Sequence, residues 1–312
     1  MICAKERLFN SEKWTKARDS TLIIDRQRLS VIGVSILPLI IGAGLAALIM
    51  DSDILREVLS QNTQPYTIVD ILIQTFVSLS LGTLVVVSLF SLIRRRGPSA
   101  KRTIVAVIVS PILTVSFFII SQTLLLILFK GATNSIIPSV LSVLTLGVLL
   151  MSFIFIIMDS VPSRLRNFFV AFYGSIFGTF LGIIFFTASM IVLVISVTIE
   201  DYFLTKMSPM VDTALLIDTP GADPFDYTRI QTSTAAIGVG DYIAFSLISA
   251  HSLLFFPIHV WIMSMALAVL GVFINVTVIA RENEILPGIP LPALLAIFPW
   301  VIHLLAFSLF VG

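Results

Sequence analysis

Two apolar runs of this chain carry acids. "TAAIGVGDYIAFSLISA", residues 234–250, places Asp241 behind Gly238 and Gly240, and "VTIEDYFLTKM", residues 197–207, places Glu200 beside Asp201. An ionisable side chain inside a membrane span costs at least about 2.5 kcal/mol, so each acid marks a candidate for chemistry. Two facing carboxylates do not comfortably both ionise; they hold one proton between them. Such a pair can hydrolyse an amide: one carboxylate takes a proton from water while its protonated partner donates to the carbonyl oxygen. That chemistry requires no metal and no cofactor, and none is expected. Buried acids also serve ion or proton transport, paired with a cation or joined in a relay. No Lys, Arg or His lies deep within these two stretches, and His251 and His259 fall near the far end of theirs. Successive helical residues point about 100° apart, so only one of Glu200 and Asp201 readily faces Asp241.

The elements that must position these acids follow from composition. The 312 residues are 57% hydrophobic and 12% charged, with mean hydropathy +1.06. A soluble domain carries about a quarter charged residues; this is an all-α polytopic membrane protein whose first partner is the lipid bilayer. A net charge of +1 gives no reason to expect a nucleic-acid partner, and the single cysteine, Cys3, excludes an intrachain disulfide framework. His251, His259 and His303 are too scattered for a zinc motif, so no metal site is expected.

Hydropathy places spans near 31–50, 68–93, 103–129 and 135–158, and again near 233–254, 258–280 and 292–311. The stretch 165–206 is too long for one helix, about 60 Å against a hydrocarbon core of about 30 Å. It must fold back, near Phe186 to Ser189, which gives nine spans. Charge tests that count. With the N-terminus cytoplasmic, the inner segments 1–28, 94–102, 159–166, 201–232 and 281–291 hold 7, 5, 2, 2 and 1 basic residues, or 17 of the 19. Only Arg56 and Lys130 fall outside, as the bias of basic residues towards the cytoplasmic side requires. The C-terminus is then outside. The chain divides into a cytoplasmic segment, 1–30, five scaffold spans within 31–185, and four spans within 186–312 that carry the acids and the inner loop 207–232.

Depth sorts the acids. Asp70 belongs to the outer end of span two, and Asp159 to a solvated helix end at the inner face. Asp241, counted along a helix starting near Thr232, lies about 12 Å in. Glu200 and Asp201 come one to two turns before the inner end of span six if that helix reaches Lys206. Gly174, Gly178 and Gly182 share one face of span five, where small residues let helices approach closely. In the inner loop "TALLIDT", 213–219, is a short β-prone run ended by the turn cluster "PGADP".

With Gly238, Gly240 and Asp241 in "GVGDYIAFS", the chain resembles the presenilin and signal peptide peptidase family of GxGD intramembrane aspartyl proteases. A second motif of that family, PAL at the start of the last span, is matched by Pro292, Ala293 and Leu294 in "ILPGIPLPALLAIF". The resemblance covers roughly residues 188–312; the first half agrees in span count and orientation. It implies Asp201 and Asp241 as catalytic residues, with Glu200 as competitor because the family's tyrosine before the span-six aspartate is missing here. It also implies that Gly238, Gly240, Pro292, Ala293 and Leu294 shape the active site and bind substrate. The short inner loop looks like that of the compact archaeal homologues. The partners implied are transmembrane segments of other proteins, single-span stubs with an outside N-terminus, met at the cell membrane. Prepilin-type peptidases share GxGD without PAL, and a transporter or inactive scaffold on the same helices is the non-enzymatic alternative.

Exposed backbone of an unwound substrate needs new hydrogen-bond partners. A strand edge would supply them, and "TALLIDT" and the proline-broken "PGIPLPA" are the candidate edges.

Overall fold

The computed structural model describes residues 26–50, 68–96, 98–129, 136–206, 224–232, 235–280 and 286–311. Among the described residues are nine α-helices: α1 (Arg26–Ile49), α2 (Ile68–Arg96), α3 (Pro98–Phe129), α4 (Ile137–Met158), α5 (Ser163–Ile184), α6 (Thr187–Lys206), α7 (Val239–Phe255), α8 (Ile258–Ile274) and α9 (Pro290–Val311). Five segments, Arg28–Ile49, Ala100–Leu125, Ile137–Met158, Ser163–Ile184 and Ile258–Ile279, are long and apolar enough to cross a membrane. The chain is therefore a multi-pass α-helical membrane protein. Arg56, Lys130, "TALLIDT" and the first 25 residues lie outside the described residues.

The long apolar stretch does fold back. Helix α5 stops at Phe185, which is extended at φ −77° and ψ 140°, and α6 begins at Thr187. Ending two helices inside an apolar interior leaves backbone groups in want of partners. His251 of α7 supplies them: its Nδ1 lies 2.8 Å from the Gly182 carbonyl oxygen and its Nε2 3.1 Å from the Thr187 hydroxyl. The carbonyl can only accept, so Nδ1 carries the hydrogen and Nε2 accepts from Thr187. The ring is wholly buried and stacks on Phe255 at 4.4 Å.

Helix α7 is the central element, buried along Tyr242 to Ser252 except at Ile243. The glycine face of α5 explains how it fits. A Cβ on Gly174 would lie 2.9 Å from Cβ of Tyr242, one on Gly178 would collide with the Ile243 backbone and the Ser246 hydroxyl, and one on Gly182 would lie 2.6 Å from the Leu247 carbonyl. The expected packing role of that face holds. Helix α1 also presents a glycine to α7: a Cβ on Gly42 would meet the Ser246 carbonyl at 2.5 Å. Two hydroxyls of α7 fasten it to carbonyls of α1, Tyr242 to Val34 at 2.6 Å and Ser249 to Leu39 at 2.6 Å.

At the start of α7 the structure corrects the sequence reading. Residues 236–238 are not helical. They form strand β2 (Ala236–Gly238), antiparallel to β1 (Arg229–Gln231), with Ile230 opposite Ile237. Asp241 thus lies in the first turn of α7, not about two turns in. Glycine is a weak helix former, and with Gly238 and Gly240 flanking Val239 the pairing with β1 prevails.

Asp159 is also corrected. It is not a solvated helix end; its side chain is only 15% exposed. It ends α4 in the left-handed conformation, φ 50°, which Asp tolerates better than most residues. Arg166 of α5 lies 3.4 Å from Asp159 and 3.7 Å from Asp226, while Arg229 pairs with Asp226 at 2.9 Å. Tyr227 donates to Asp159 at 3.3 Å and its own carbonyl accepts from Tyr173 of α5 at 2.6 Å. Burial, and then the Asp159 charge, push the Tyr227 hydroxyl above its usual range, so it stays a donor. Asn167 brackets Gln231, donating to its carbonyl at 2.8 Å and accepting from its N–H at 3.1 Å. The hairpin is thereby bolted to α4 and α5.

Gly178→Val is expected to destabilise the protein by about 1–3 kcal/mol through overpacking, read as a lower thermal midpoint in detergent. Gly147→Val in α4 is the control: among the described residues a Cβ at Gly147 meets nothing within 4 Å, so its midpoint stays at the wild-type value. Equal midpoints for the two variants would remove the glycine face as the seat of α7.

Candidate active site

Three elements bring the acids together. Asp201 lies one and a half turns before the end of α6, Asp241 in the first turn of α7, and the third element is the segment that leads into α9. The N–H of Ile289 donates to Asp201 Oδ2 at 3.1 Å, and the Thr205 hydroxyl reaches Oδ1 at 3.5 Å. Gly288, the preceding residue, lies against Asp241: a Cβ there would fall 2.7 and 2.8 Å from its two carboxylate oxygens. The two carboxylates therefore meet on two consecutive residues, Gly288 and Ile289.

Glu200 takes a different direction on α6. Its Oε1 is buried and has no hydrogen-bond partner among the described residues. Of the two adjacent acids, Asp201 is the one brought to Asp241.

The glycines of the motif behave unlike those of α5. A Cβ on Gly238 would meet nothing closer than Asp241 Oδ2 at 3.9 Å, and one on Gly240 nothing closer than Ile289 Cδ1 at 3.9 Å. Among the described residues no packing demands glycine at either place, and a Cβ would find room there. Gly288, by contrast, has no room for a side chain.

The PAL residues divide. Pro292 is wholly buried against α8, where a Cβ on Gly271 would lie 2.5 Å from Pro292 Cα. Ala293 is wholly buried, whereas Leu294 is 47% exposed on the outer side of α9. The prolines do not break this helix: α9 begins at Pro290, and Pro292 falls in its first turn, where the missing N–H has no helical partner to lose.

Sequence reasoning missed Gly288, Ile289 and Asn275, which donates to the Gly288 carbonyl at 3.1 Å. It also missed the hairpin. The pattern "PGIP" signals a turn, but only the fold places that turn on two acids. Among the described residues no group of three or more His, Cys, Asp or Glu could hold a metal ion. In comparisons with known proteins, no family model, no curated protein and no solved structure matches this chain.

Proposed function

We propose that this chain is an intramembrane aspartyl protease of presenilin-like type, with nine membrane crossings and a cytoplasmic N-terminus. The observation that supports the reading best is the meeting of Asp201 and Asp241, from separate helices, on the Gly288–Ile289 peptide. A structural acid needs one neutralising partner; two acids held together with no cation beside them among the described residues need a shared proton.

Hydrogen-bond inventory assigns the roles. Asp201 has a donor on each oxygen, Ile289 N–H and the Thr205 hydroxyl, against the Gly238 backbone on Asp241, so the shared proton is placed on Asp241. Asp201 takes a proton from water, whose oxygen attacks the substrate carbonyl carbon, while Asp241 gives its proton to the carbonyl oxygen. The resulting diol collapses as Asp201 passes its proton to the departing nitrogen. Asp241 regains a proton from a diol hydroxyl, and both carboxyls return to their starting states.

The substrate is a transmembrane segment of another protein, unwound near the inner face. Its exposed backbone needs partners. Asn167 already occupies the Gln231 end of the outer edge of β1, whereas Ala236 and Gly238 on β2 are exposed. An added strand along β2 would run past Gly238 to Asp241. The room that a Cβ would find at Gly238 and Gly240 among the described residues suits that approach.

Proteolysis of a single-span substrate by the purified protein tests the reading. Asp201→Asn and Asp241→Asn should each lower cleavage at least about a hundredfold, with Glu200→Gln near wild type; cleavage that survives Asp241→Asn rules out the dyad. Gly288→Ala should depress kcat by displacing the Asp241 carboxylate, and Gly238→Ala should act mainly on KM by filling the open space. Interchanged effects would mean the substrate approaches from the other side. Reporter fusions should place the N-terminus inside; an outside N-terminus reverses the substrate orientation.

A further inference from the structure

We infer that Asn275 is a positioning residue for the dyad, acting on Asp201 through the Gly288–Ile289 peptide. The inference rests on the proteolytic reading for its kinetic consequence, but its geometry stands apart from it. Asn275 Nδ2 donates to the Gly288 carbonyl at 3.1 Å, and the N–H of the same peptide unit donates to Asp201 Oδ2 at 3.1 Å. One planar group thus accepts on one side and donates on the other. A carbonyl that accepts a hydrogen bond makes its own N–H a stronger donor, by about 10–30% per bond. Asn275 therefore fixes both the direction and the strength of the donor that holds Asp201.

The placement of Asn275 is built into α8. It is buried and opens a π-helical turn, Asn275–Ile279, that ends the helix; the Ala280 N–H reaches back to the Asn275 carbonyl at 2.8 Å. Such wide turns often sit at functional sites. One face of α8 zips along α9 and the segment before it: the Ser264 hydroxyl bonds the Ala296 carbonyl at 2.6 Å, Gly271 lies on Pro292, and Asn275 holds Gly288. Two of these contacts would seat α9 against α8 with an apolar residue at 275. A buried amide there is costly unless its hydrogen bonds are made, and its bond goes to the peptide whose N–H holds Asp201 Oδ2.

The test uses the full chain in lipid nanodiscs. Asn275→Leu keeps the volume and removes the donor. It should lower kcat about tenfold, the scale of one hydrogen bond, with KM within about twofold, and Asn275→Gln should recover most of the loss. Labelling glycine carbonyl carbons and isoleucine nitrogens reports two peptides only, Gly182–Ile183 and Gly288–Ile289. In Asn275→Leu the second carbonyl should move upfield while the first, held by His251, stays in place. Wild-type kcat in Asn275→Leu, equal losses in Asn275→Leu and Asn275→Gln, or an unmoved Gly288 carbonyl overturns the inference. If Asn275→Leu does not fold, judged by a displaced Gly182 carbonyl, Asn275→Ala is read in its place by the same criteria. A wild-type chain that cuts no single-span substrate sinks the proteolytic reading instead, and the two resonances still decide whether Asn275 holds the peptide.

Discussion

Carboxylates in a low-dielectric interior need donors, and almost every backbone N–H of a helix is already committed to its own carbonyls. The non-helical residues before α9 supply the donor here. Helix α9 starts at Pro290, so the Ile289 N–H has no helical partner and is left to Asp201. Gly288 has no side chain, so its backbone can lie against the Asp241 carboxylate. Moving either residue by one position would put a proline or a side chain where an amide hydrogen or an empty face is needed. The geometry of both acids depends on where that helix begins.

Much of the remaining architecture keeps α7 fixed against this segment. Lipid offers no hydrophobic drive between helices, so close backbone approach and interhelical hydrogen bonds carry the association. Glycines of α5 and α1 both press on α7, and Tyr242 and Ser249 bond to α1 carbonyls. His251 ties the far end of α7 to the turn between α5 and α6. That turn in turn sets where α6, and therefore Asp201, descends. A histidine about 15 Å along α7 from Asp241 thus takes part in registering the helix that carries the second acid.

Around the hairpin the cohesion is ionic. Arg166 lies between Asp159 and Asp226, and Arg229 neutralises Asp226 further. These charges are largely shielded from water, so losing one partner would leave another buried and uncompensated. Their product is a short hairpin, held at β1 and, among the described residues, exposed at Ala236 and Gly238 of β2, that runs directly into α7. The ionic anchoring of the hairpin and the backbone hydrogen bonding of the Gly288–Ile289 segment meet at Asp241.

The sequence by itself determined the membrane class, the fold-back near residue 186, the packing face of Gly174, Gly178 and Gly182, and the candidate acids. Each rests on composition or on a period along one helix, information that is local to the chain. It placed Asp241 too deep and Asp159 in solvent, because helix starts and ion pairs depend on partners far away in sequence: β1 for Gly238, Arg166 and Tyr227 for Asp159. The choice between Glu200 and Asp201 was likewise closed to it. Adjacent residues on a helix differ only in direction, and direction has meaning only once α7 and the Gly288–Ile289 peptide stand beside α6. Tertiary structure alone decided which acid faces the other, since only there do residues 201, 241, 275 and 288 become neighbours.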